Sequence, residues 1–291
     1  MVHYFFALGA ALLWGFSAAF SKLALQSLDV WQLIFFGSVL ATVFFGSWLI
    51  MTKKIVRATQ VLRKQPGLLL LLALLTFSYY ALIYHGFTIG PTAETYIVNL
   101  LWVLLILPVS TLCLGERYQA SNYGALLLGF LGAGIIITKL QFTEEISGAY
   151  FYAICAAFLY AYFSVLQRQV ALEKPIALFW NFLLVAILSG LFLPVVSEFR
   201  GLYTLTELGS VFYVGFGSMA LAFFCWLKAL TAKQVVKIVQ VLYLIPFFTI
   251  IAVTLILREP MDFLSLLSGT TLIVLGMFWQ KAAVANFTKK N

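Results

Sequence analysis

The sequence predicts an all-α integral membrane protein of ten transmembrane helices, arranged as two inverted five-helix repeats. Three observations carry that prediction. Hydrophobic residues fill 63% of the 291 positions and charged residues only 10%, with a mean hydropathy of +1.03, which places the chain in the membrane class. The hydrophobic residues fall into ten runs, most of them long enough, at about 1.5 Å per residue, to cross a hydrocarbon core of roughly 30 Å. Two windows of the chain also align with two later ones.

In order, the runs lie near 3–25, 30–51, 66–88, 91–114, 120–138, 147–168, 175–197, 208–230, 233–257 and 261–284, bounded by charges, Pro or Gly. The first lacks a cationic start and a small-residue cleavage site, so it is expected to stay as a span. The loop after the second holds Lys53, Lys54, Arg57, Arg63 and Lys64, and fourteen of the eighteen basic residues fall on that side. The positive-inside bias then puts both termini of this multi-pass protein in the cytoplasm. These cations sit in short loops without a continuous basic face, so the net charge of +8 reads as topology and not as nucleic-acid binding. Cys113, Cys155 and Cys225 lie inside the runs with no CxxC pair and no His at ligand spacing. They read as packing residues, and no metal or cofactor is expected.

Residues 4–24 align without gaps on 150–170, setting Trp14 over Tyr160 and Lys22 over Arg168. Residues 80–102 align on 221–243, setting Asn99 over Gln240 and Trp102 over Tyr243. Repeats of five spans each enter the membrane from opposite sides, so units 1–140 and 141–291 are expected to be related by an axis in the membrane plane.

The fourth run carries Glu94 and Asn99, polar groups that hydrocarbon cannot satisfy and that usually face a water-filled cavity. At 100° per residue Thr95, Asn99, Trp102 and Ile106 share one stripe, with Glu94 on its flank. Each repeat then offers an amide followed three residues later by an aromatic: Asn99 with Trp102, and Gln240 with Tyr243. Lys237 lies one turn before Gln240, at the expected cytoplasmic mouth. Tyr79, Tyr80 and Trp226 sit in the spans beside these helices. Glu94, within a turn of its helix start, is expected to be hydrated. His85 reads as a packing residue. Gly124, Gly129, Gly132 and Gly134 predict close helix approach, within the chain or to a second subunit, hence a monomer or homodimer.

Ten spans in two repeats, with Trp14 in the first and Pro246 in the ninth, resemble the drug/metabolite transporter superfamily of EamA type over essentially the whole chain. Glu94-x-x-x-Val98-Asn99-x-Leu101-Trp102 is similar to the central motif of the bacterial aromatic amino-acid exporter group, and Trp226 stands twenty residues before Pro246 as it does there. Two departures stand out. Val103 follows the motif Trp where that group has Pro, and Lys228, Lys233 and Lys237 replace neutral residues. The expected function is a secondary transporter, working by alternating access and exporting amino acids or similar small amphipathic metabolites. Glu94, Asn99, Trp102, Tyr79, Trp226, Lys237, Gln240, Tyr243 and Trp14 would meet its solute. Export of cationic drugs or nucleosides, and a channel, are the alternatives. An enzyme would need a nucleophile with its base or a metal-ligand set, which the spans do not offer. The partners implied are a small-molecule substrate and the lipid bilayer.

Overall fold

The computed structural model describes residues 2–115, 120–139, 147–169, 172–197, 204–231 and 240–288, all helical or in turns between helices. The helices are α1 (Val2–Ala24), α2 (Val30–Met51), α3 (Ile55–Lys64), α4 (Pro66–Ile89), α5 (Thr92–Asn99), α6 (Trp102–Leu114) and α7 (Ala120–Thr138). They continue with α8 (Ala149–Gln169), α9 (Lys174–Val196), α10 (Leu205–Phe212), a π-helical segment Tyr213–Leu221 and α11 (Ala222–Ala229). A 3-10 turn at Gln240–Leu244, α12 (Ile245–Ala252), a π segment Val253–Leu257 and α13 (Phe263–Thr288) follow. Among the described residues nine spans are long and apolar enough to cross a membrane, and a shorter apolar helix, Tyr123–Thr138 within α7, accompanies them.

Local sequence explains most boundaries. Asp29 caps α2, its side chain accepting from the Gln32 backbone N–H while the Gln32 side chain accepts from the Asp29 N–H. Pro66 opens α4, where a missing N–H leaves nothing unpaired. Gly115 ends α6 in the left-handed conformation, with φ of 65°.

Tertiary contacts explain the rest. Pro108 lacks the N–H that would bond the Leu104 carbonyl four residues back. The Gln280 side-chain amide donates to that carbonyl at 3.3 Å from α13, far along the chain. The glycines of the fifth run are taken up within the chain. Gly124 faces Trp279, Gly129 faces Leu104, and Gly132 meets the Gly269 carbonyl, while Gly134 faces open space. Glycine lets backbones approach this closely in lipid, where dispersion and not the hydrophobic effect holds helices together.

The 52–65 segment, expected as a loop, contains the amphipathic helix α3 instead. Ala58 is buried with Leu49 and Ile176, Val61 packs alongside, and the Trp180 indole N–H donates to the Ala58 carbonyl at 2.9 Å. Glu173 pairs with Lys54 at 2.8 Å and also with Arg57, tying this helix to the start of α9. The hydrogen bond from Lys54, helped by the charges of Lys54 and Arg57, holds the Glu173 carboxyl below its ordinary value of 4.5. A depressed folded value means that the stabilisation is complete above that ordinary value and is lost as pH falls through the lower one. Because both cations are substantially exposed, Glu173→Gln should change stability by less than about 1 kcal/mol at neutral pH, and by nothing in strong acid, in thermal unfolding of the detergent-solubilised protein.

Candidate functional site

The fourth span is interrupted. Leu101 and Leu104 N–H groups bond the carbonyls three residues back, Val98 and Leu101, so α5 and α6 meet at a tight turn over Leu100 and Leu101. Asn99, a weak helix former, sits at the last position of α5, only 1% exposed. Its side-chain N–H donates to the Tyr79 hydroxyl at 3.2 Å, while its Oδ1 has no partner. The Tyr79 ring lies 5.1 Å from Tyr80 and 4.8 Å from Tyr160, and Tyr160 meets Trp102 edge-on at 4.7 Å. An unfilled acceptor beside half-buried aromatic faces suits a solute with an N–H or ammonium donor and an apolar body.

A second aromatic group faces α1. Trp14 packs on Phe223 at 5.2 Å and on Trp226 at 6.3 Å. The carbonyls of Leu13 and Trp14 accept from the Tyr213 and Tyr96 hydroxyls at 3.1 and 3.2 Å, so side chains from both halves converge on the middle of this helix. Beside it, a cavity of about 450 Å³ opens between α1 and the eighth span, lined by Leu13, Phe20, Phe212, Tyr213 and Phe216 among others.

At one end of the bundle two carboxylates meet the first turn of α5. Glu94, expected to be hydrated, is 2% exposed, and the Tyr150 hydroxyl of α8 donates to it. Glu259 accepts from both the N–H and the hydroxyl of Thr92, at 2.9 and 2.7 Å.

The candidates therefore divide. Tyr79, Asn99 and Trp102 are drawn together around Tyr160, and Trp14 joins Trp226. Tyr243 is buried, its hydroxyl donating to the Met277 carbonyl at 3.1 Å and its ring against Phe278, whereas Gln240 is exposed. The two amides thus differ in environment. Lys237 lies outside the described residues. His85 is exposed and sits edge-on to Tyr152 at 4.8 Å. Among the described residues no three His, Cys, Asp or Glu side chains come together as a metal site.

Tyr96, Tyr150, Tyr160, Tyr213 and Glu259 escaped the sequence reading. Only Tyr160 carried a usable signal, since the repeat alignment sets it under Trp14. The other four owe their importance to partners in distant helices.

The EamA-like transporter family matches residues 1–138 and again 147–280. The "Aromatic amino acid exporter YddG" of Ancylobacter novellus is 25% identical over 154 residues. That alignment takes in 52% of this chain and 53% of the exporter, so the chain spans about half the length of this curated relative. A solved protein described only as "Crystal structure of protein" shares 18% identity at a TM-score of 0.65, with 95% of each chain covered. At such identity the likeness is one of fold. The apolar spans, their helical packing and the two matches lead to one conclusion: this multi-pass membrane protein belongs to the EamA-like transporter family, whose members are transporters and not enzymes.

Proposed function

We propose that the chain is an alternating-access carrier of a bacterial inner membrane, with both termini cytoplasmic, exporting amino acids or similarly small amphipathic metabolites. The observation that carries this reading is the interrupted fourth span, where Asn99 is buried with its oxygen unpaired beside Tyr79, Tyr160 and Trp102. Repeat-built carriers bind solutes at such interruptions, where polar groups are left without intrahelical partners. Trp14 and Trp226 form a second wall, Lys237, Gln240 and Tyr243 are contributions of the other half, and Glu94 stands at one end.

Helix pairing supports ten spans as two inverted units, 1–140 and 141–291. In the first unit α1 packs on α11 and α12 of the second, and α8 of the second packs on α4 and α6 of the first. Between them α2 pairs with α9 and α7 with α13. The amino-acid reading takes support from what the exporter relative is called. Cationic drugs or nucleosides are a second reading, favoured by the tyrosine and tryptophan faces that attract cations.

Purified protein in liposomes loaded with unlabelled amino acids should show saturable uptake of labelled amino acid by counterflow. Uptake without exchange would indicate a channel. Counterflow with amines or nucleosides alone would move the substrate class to the second reading.

A further inference from the structure

We infer that Glu259 and Glu94 form a two-carboxylate latch that holds one end of the transport pathway shut. Both contacts cross between the proposed halves: Glu259 follows the ninth span and grips Thr92, while Tyr150 of α8 grips Glu94. The inference rests on the alternating-access reading. Arg258 adopts a left-handed φ of 54°, which ends the ninth span and turns the chain back over the bundle. The Glu259 carboxylate then receives the N–H of Thr92, a donor with no intrahelical partner in the first turn of α5, together with the Thr92 hydroxyl. Bonds of this kind, with an ionised acceptor at a helix start, are about twice as strong as neutral ones.

The backbones close in at the same place. A Cβ on Gly90 would meet Ala149 and Ser147, so the α4–α5 turn lies directly against the start of α8. Thr92, Glu94 and Thr95 are all buried beneath these contacts, and Thr95 lies on the Asn99 stripe. Three hydrogen bonds on one helix turn, all joining the two halves, are what a gate needs: strong while closed, and able to exchange for water once the halves part. Asp262 and Lys139 are the other charged groups whose fields reach Glu94.

The test uses the full chain in lipid nanodiscs, with Cys113, Cys155 and Cys225 replaced by serine and Thr95→Cys as reporter. A water-soluble maleimide should label the reporter slowly, and Glu259→Ala should raise the rate by about tenfold, the equivalent of one charged hydrogen bond. Tyr150→Phe should raise it less. Glu173→Ala, which breaks an ion pair between the halves at the other end, should leave the rate unchanged. Equal labelling with and without Glu259, in protein that elutes and melts as the parent does, overturns the latch. So does an equal rise with Glu173→Ala, which would mean general loosening. Should the latch behave as expected while no solute gives counterflow, the transport reading fails instead.

Discussion

Replacing Gly269 by leucine should leave almost no folded protein, and replacing it by alanine should cost about 1–3 kcal/mol of stability. A Cβ at Gly269 would lie 2.5 Å from the Gly132 carbonyl oxygen and 2.5 Å from Ile136, far inside contact distance. One of these is backbone and cannot swing aside, so α7 and α13 would have to separate along a large shared face. Gly132→Ala should cost a similar amount, since its Cβ would meet the Gly269 carbonyl, while Gly134→Ala, with open space around it, should be neutral or slightly stabilising. The fraction of monodisperse protein by fluorescence-detected size exclusion, followed over temperature, measures all of these. Normal folding of Gly269→Leu would mean that the two helices do not touch here.

Asn99→Leu should abolish transport and leave the melting temperature unchanged or raised. The Oδ1 atom has no partner in the protein, and a buried unsatisfied polar group costs about 1–3 kcal/mol. Leucine removes that penalty along with the single bond to Tyr79, and it keeps a similar volume. If the oxygen instead receives a donor from the solute, its loss should lower kcat/KM at least about tenfold, because sites that bond a polar group reject partners that leave it unpaired. A glue residue would give the opposite pattern, with a lower melting temperature and preserved transport per folded molecule.

Hydropathy made the spans legible because lipid demands long apolar helices, and a few charges between them suffice as punctuation. The break between α5 and α6 was not legible. No Pro or Gly stands between Asn99 and Trp102, and the sequence there reads as continuous helix. Helix α3 was hidden by its own charge: five cations in a short connection suggested a loop, although Ala58 and Val61 already kept helical spacing. Glu94 was placed in water because its partner, Tyr150, comes from a different span. Glu259 sits in a short turn where a carboxylate attracts no notice. The last two misses share one cause, a polar group whose partner is remote in sequence.

Pro108 and Gln280 also bear on the order in which the protein can mature. The bond from Gln280 to the Leu104 carbonyl joins residues 176 positions apart. At synthesis rates of about 5–20 residues per second, that carbonyl emerges roughly 10–35 s before its donor exists. During that interval the segment around Pro108 sits in the translocon or the bilayer with an acceptor that only water, lipid headgroups or an insertion factor can satisfy. The early helices can insert, but the Leu104 carbonyl gains its side-chain donor only when the chain through Gln280 has left the ribosome.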